Sequence, residues 1–177
     1  MLDERIASDP RLFTYLENAR DKVEVKIGDG RRLLEAEPDG SLDVLVLAAF
    51  TGDAVPVHLL TREAFELYKR KLSERGLLLM ITANAFLELN PVVGNLIADA
   101  GLFARISRDA MPTVTAGGEP ADWVVAARRE EELARFAHTT PPWVELPPDP
   151  SADLWTDDFS NVIQVLRWKQ YVDLGSH

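Results

Sequence analysis

Three short segments hold residues whose types and spacing could do chemistry. Gly28-Asp29-Gly30 stands between an alternating apolar run and a helical one. Glycine admits close approach to the backbone, and the first turn of a helix presents N–H groups without internal partners. Asp29 offers an acceptor for an exocyclic amine such as adenine N6, or a cap for its own helix; the spacing serves both. The second segment, Ala48 to Pro56, follows the apolar run Leu42–Leu47 and carries Thr51, Gly52 and Asp53, with Pro56 stiffening its exit. Open α/β sheets bind ligands outside the carboxyl ends of their strands, so such a loop faces a ligand. The run ends on Ala48, where a carboxylate would be looked for. The third segment, Thr82-Ala83-Asn84, follows the next apolar run at the same end of the sheet, and Asn84 reads as a ligand contact or a helix cap.

Other chemistries are set aside. There is no cysteine, which excludes disulfides, thiolate catalysis and cysteine-ligated zinc. His58, His138 and His177 are widely separated and lack metal-ligand spacing, so no metal site is expected. No nucleophile-elbow motif supports a Ser-His-Asp reading. Trp155 with Asp157 and Asp158 reads as a packing anchor beside solvated or capping acids. A net charge of −10 argues against a nucleic-acid partner, because phosphate neutralisation needs clustered Lys and Arg. The densest basic run, Lys69-Arg70-Lys71, falls in a helical pattern and reads as a solvated face. No apolar run is long enough to span a membrane, so no insertion by this chain is expected.

The elements that must position these residues follow from periodicity. Asp9-Pro10 opens a helix, and Val23–Ile27 alternates as a strand. A helix with Leu33 and Leu34 inward leads to a turn at Pro38-Asp39-Gly40. Leu42–Leu47 suits a strand covered on both faces. Thr61 caps a helix through Ser73, with Phe65, Tyr68 and Leu72 inward and Gly76 at its C′ position. Leu77–Ile81 is the next buried strand. Asn90 caps a helix with Pro91 in its first turn, Val92, Val93, Leu96, Ile97 and Ala100 inward, and Gly101 as its stop. Leu102–Ile106 and Trp123–Ala127, linked through Gly117-Gly118, read as an antiparallel pair. Glu130–Phe136 reads as a short helix, and Thr139–Pro150, with five prolines, as an extended strap. A last short helix around Val162–Leu166 is capped by Asp158 or Ser160. Alternating strands and helices imply a mostly parallel α/β sheet ending in an antiparallel pair. Residues 1–138 are read as one partial Rossmann-like domain, with 139–177 packing on it.

These residues carry a family resemblance. Asp9-Pro10-Arg11-Leu12-Phe13-Thr14-Tyr15-Leu16, Gly28-Asp29-Gly30-Arg31, the stretch from Ala49-Phe50-Thr51-Gly52-Asp53 through Pro56-Val57-His58-Leu59-Leu60-Thr61, and Trp155-Thr156-Asp157-Asp158-Phe159-Ser160-Asn161 resemble the spermidine synthase-like branch of the class I S-adenosylmethionine-dependent methyltransferase fold. The resemblance implies decarboxylated S-adenosylmethionine, or S-adenosylmethionine, as donor and a polyamine such as putrescine as acceptor, in a cytoplasmic polyamine-biosynthetic setting. It assigns Gly28, Asp29, Gly30, Ala48 and Phe50 to the donor side. The family's catalytic aspartate falls at Ala48, which leaves Asp53 as the nearest acid that could meet the amine. It also implies a first strand with a Gly-rich loop that this sequence does not display, so the sheet is expected to be truncated at its first strand. A homodimer covering the open sheet edge, or fusion to membrane spans in a longer protein, would fit. The expected activity is therefore aminopropyl transfer in a divergent or inactive form. The alternatives are a non-catalytic ligand-sensing or protein-interaction module of the same fold, or a methyltransferase.

Overall fold

A computed structural model describes residues 22–49, 56–84, 86–108 and 122–167. The expected helix at Asp9-Pro10, the glycine pair Gly117-Gly118, and Phe50 and Asp53 lie outside them. The chain divides after Glu37 into two units.

In the first unit, α1 (Gly30–Ala36) forms where the sequence predicts a helix, with Leu33 and Leu34 half-buried. Lys26 meets Glu37 at 2.6 Å, and that carboxylate raises the lysine's pKa. The predicted strand Val23–Ile27 is not formed. Its pattern is strand-like, but a strand requires a neighbour to pair its backbone, and none pairs with it among the described residues. Val23, Val25 and Ile27 remain exposed.

The second unit is built on a five-stranded sheet in the order β1 (Leu42–Leu47), β2 (Leu72–Ile81), β4 (Asp122–Ala127), β3 (Phe103–Arg108), β5 (Val144–Glu145). β1 and β2 are parallel, joined through α2 (Arg62–Lys71). β4 is antiparallel to both β2 and β3, so β1, β2 and β3 run one way with β4 returned between the last two. The expected antiparallel pair is therefore present. Its insertion places the carboxyl ends of β1, β2 and β3 and the amino end of β4 on one sheet edge. β5 belongs to the Pro-rich strap and pairs with β3 at Arg105↔Glu145.

Local sequence explains the helices. Thr61 caps α2, its hydroxyl accepting from the Ala64 N–H at 3.3 Å. Phe65 and Tyr68 are buried, and the Tyr68 hydroxyl donates to the Leu59 carbonyl at 3.0 Å. α3 (Asn90–Asp99) buries Val92, Val93, Leu96 and Ile97 and stops at Gly101, whose φ of +67° favours glycine. α2 and α3 pack on each other, α2 on β2 and α3 on β3. One sheet face joins Leu77, Val125 and Ala127 to Leu133 of the 3₁₀ segment Glu130–Phe136.

Four expectations are corrected here. α2 ends at Lys71, and Gly76 is not its C′ residue but lies inside β2. Between Leu42↔Leu72 and Val44↔Leu77, β1 advances two residues while β2 advances five. A Cβ at position 76 would stand 2.8 Å from the Leu42 carbonyl oxygen, so glycine serves this bulge by close approach. Asn90 does not cap α3; its side chain is engaged elsewhere. The final 3₁₀ turn, Val162–Val165, is capped by Asn161, which accepts from Gln164 N, rather than by Asp158 or Ser160. Among the described residues β1 is an edge strand, not one covered on both faces: Val44 and Val46 are 53% and 52% exposed.

Candidate functional site

The carboxyl edge of β1 and β2 is built from both strand ends and the start of β4. Leu47 pairs with Met80, so Ala48 and Thr82 leave their strands close to one level. Ala48 is exposed and brings only a methyl group. Thr82 is 1% exposed. Its N–H donates to the Asp122 carbonyl at 2.9 Å, and its hydroxyl donates to Asn90 Oδ1 at 2.6 Å.

Asn90 is the node of this edge. With its oxygen taken by Thr82, its Nδ2 faces Glu88 Oε1 at 2.9 Å and Asp122 Oδ2 at 2.7 Å. An amide has two N–H donors, and two carboxylates take them, which fixes its orientation. Glu88 is paired again, with Arg167 Nη2 at 2.9 Å. Arg167 also donates from Nε to the Leu87 carbonyl at 3.2 Å. Asn84, 7% exposed, accepts from the N–H groups of Phe86 and Leu87 at 2.9 and 3.0 Å. Of its two predicted roles, the structure shows a cap, of the turn before α3.

This network was missed in the sequence. Asn90-Pro91 carries a strong helix-start signal that hides a buried amide; Glu88 lies two residues before it, Asp122 reaches it from a distant segment, and Arg167 braces Glu88. Thr82 and Asn84 were singled out, and the structure does bring them to the same edge as Ala48.

In the first unit, Asp29 caps α1: its Oδ1 accepts from Arg32 N at 3.0 Å, and its carbonyl accepts from Leu33 N at 3.0 Å. A Cβ on Gly30 would meet nothing within 4 Å, so packing does not demand glycine there. Trp155 is fully buried, and its carbonyl accepts from Arg62 N at 2.9 Å. Asp157 accepts from the Thr61 hydroxyl at 2.7 Å, and its own N–H donates to Glu63 at 2.9 Å. The Trp-Thr-Asp-Asp segment thus clamps the start of α2, as a packing anchor whose Asp157 braces the capping hydroxyl of Thr61. His58 is exposed in the 3₁₀ turn Val57–Leu59.

No family model and no curated protein matches the chain. Among solved structures it is similar to a probable spermidine synthase from Corynebacterium glutamicum ATCC 13032, at 16% identity and TM-score 0.49, over 84% of this chain and 61% of that one. It is also similar to the spermidine synthase from Thermotoga maritima, at 15% identity and TM-score 0.46, over 90% of this chain and 53% of that one. A third is a SAM-dependent methyltransferase from Archaeoglobus fulgidus, at 14% identity and TM-score 0.42, covering 66% and 72%. The chain thus spans 61% and 53% of the two synthases. The fold is of the Rossmann-like methyltransferase type. The strand order carries that conclusion: co-directional strands, with the last of them separated from its neighbour by an inserted antiparallel strand. No helix among the described residues is long and apolar enough to cross a membrane.

Proposed function

We propose that this chain is a spermidine synthase-like transferase domain that does not by itself catalyse aminopropyl transfer. The quoted motifs and the strand order support the family, and Ala48 carries the statement about activity. In that reaction an amine nitrogen bonds to a carbon activated by a sulfonium, the carbon–sulfur bond breaks, methylthioadenosine leaves, and the nitrogen gives up a proton. The enzyme must align the two reactants and accept that proton. A carboxylate at the strand end would attract the cationic amine and take the proton; the Ala48 methyl does neither. The neighbouring polar groups already hydrogen-bond one another: the Thr82 hydroxyl donates to Asn90, and Glu88 Oε1 and Asp122 Oδ2 accept from the Asn90 amide.

In this reading the resemblance assigns Gly28, Asp29 and Gly30 to the adenine of a decarboxylated S-adenosylmethionine or S-adenosylmethionine donor, and assigns Ala48 and Phe50 to the donor as well. Asp53 is the remaining candidate for meeting the amine. Calorimetric titration with both donors and methylthioadenosine, paired with an assay of methylthioadenosine release in the presence of putrescine, tests the proposal. Donor binding at about millimolar Kd without turnover is expected. No binding to any of the three removes the donor assignment, and turnover by the unaltered chain refutes the statement about Ala48.

A further inference from the structure

The start of β3 lies at the sheet edge opposite Ala48 and Thr82, and a cavity of about 300 Å³ opens there. α3, β3, the 3₁₀ segment Glu130–Phe136 and the strap that carries β5 bound it, and Ile97, Leu102, Leu133 and Leu146 give it an apolar lining. The strap is fixed in place. Asn95 of α3 donates to the Asp149 and Ala152 carbonyls, each at 2.8 Å, and accepts from the Asp149 N–H at 2.7 Å. Gly94 lets the strap lie close, since a Cβ there would stand 3.0 Å from the Pro147 carbonyl oxygen. The cavity is therefore pre-formed, as small-molecule sites usually are.

Three charged residues line it: Arg105, Glu130 and Glu145. The Arg105 side chain is only 19% exposed, and no group among the described residues accepts a hydrogen bond from its guanidinium. Its one ion pair is with Glu130 at 3.8 Å, beyond hydrogen-bond reach, and that glutamate is 60% exposed. Glu145 stands opposite Arg105 across the β3–β5 pair, yet the two form no ion pair. A largely covered guanidinium with five unmet donors calls for an acceptor.

We infer that this cavity binds a free α-amino acid with an apolar side chain. The ligand's carboxylate takes the Arg105 fork, which matches it in two parallel hydrogen bonds. Its ammonium meets Glu145, and its side chain lies among Ile97, Leu102, Leu133 and Leu146. The charges select the zwitterion. A bare carboxylate would face two glutamates against one arginine, and a bare ammonium would leave Arg105 without its acceptor. The volume is at the low end for ligand pockets, about 300–1,000 Å³, which suits a ligand of amino-acid size.

Calorimetric titration of the full chain with L-leucine, isocaproate (no ammonium) and isoamylamine (no carboxylate) tests this. L-Leucine should bind at about millimolar Kd or tighter, and the other two at least tenfold more weakly. Arg105→Gln should weaken L-leucine tenfold or more. Glu145→Gln should also weaken L-leucine but leave isocaproate no weaker. Ala98 lines the cavity at an exposed position of α3. Ala98→Phe should therefore block L-leucine without lowering the melting temperature. No binding of L-leucine at about 10 mM overturns the proposal. So does binding that survives both Arg105→Gln and Ala98→Phe, or isocaproate bound as tightly as L-leucine.

Discussion

Replacing Asn90 tests the carboxyl-edge network most sharply. Asn90→Ala removes the acceptor of the Thr82 hydroxyl and the donor to Glu88 and Asp122 at once. Thr82 is 1% exposed, so its hydroxyl is left with only the long contact to the Asp122 carbonyl at 3.4 Å, where water cannot replace the lost bond. A buried polar group left unsatisfied costs about 1–3 kcal/mol. Asp122 also loses a charge-assisted bond, whereas Glu88 keeps Arg167 and is part-exposed. The expected loss is about 2–4 kcal/mol, a large share of a domain's usual stability of about 5–15 kcal/mol. Asn90→Asp separates the network's electrostatics from its shape. It keeps an oxygen for Thr82 but turns a second one toward two carboxylates. Repulsion raises the introduced carboxyl's folded-state pKa above its unfolded value. The variant should therefore be weakest at neutral pH and recover relative to the unaltered chain as pH falls through that raised value. Urea unfolding of both variants from neutral to mildly acidic pH, at unchanged m, measures this. A loss below about 0.5 kcal/mol for Asn90→Ala, or no recovery of Asn90→Asp on acidification, would refute the reasoning.

Glu132 is 4% exposed, and hydrogen bonding to Arg75, with Arg129 nearby, holds its carboxyl below the usual range. Its contribution is present above the unfolded carboxylate pKa and lost as pH falls through the depressed folded value, so Glu132→Gln should flatten the acid limb of the stability profile. Gly76→Ala should cost about 1–3 kcal/mol in a denaturant melt, because the new Cβ meets the Leu42 carbonyl oxygen at 2.8 Å and the Ser73 nitrogen at 3.0 Å, both backbone atoms. Trp155→Ala should cost about 3–5 kcal/mol. Trp155→Phe should cost much less, since the buried indole N–H has no partner to lose.

Much of the second unit was legible. Thr61, the 92-93-96-97-100 stripe and Gly101 act locally, and local signals place α2 and α3 as expected. The pairing of 103–108 with 122–127 also follows from two apolar runs and a connection. What failed depends on partners distant in sequence. Val23–Ile27 alternates like a strand, yet no strand among the described residues pairs with it. Gly76 looks like a helix stop because it lies just past one, but its reason is the Leu42 carbonyl across the sheet. The apolar run 42–47 suggests cover on both faces, and only the strand order shows that it ends the sheet among the described residues. At the site, Ala48, Thr82 and Asn84 were readable as strand ends. Asn90 was not, because its role is set largely by Asp122, which reaches it from 32 residues away.

The account turns on position 48. The direct measurement is methylthioadenosine release from decarboxylated S-adenosylmethionine and putrescine, by the unaltered chain and by Ala48→Asp side by side. No release above the uncatalysed rate is expected from the unaltered chain, and the variant should exceed it at least tenfold, about 1.4 kcal/mol of barrier. Full turnover with Ala48 in place, unchanged by the aspartate, would contradict it.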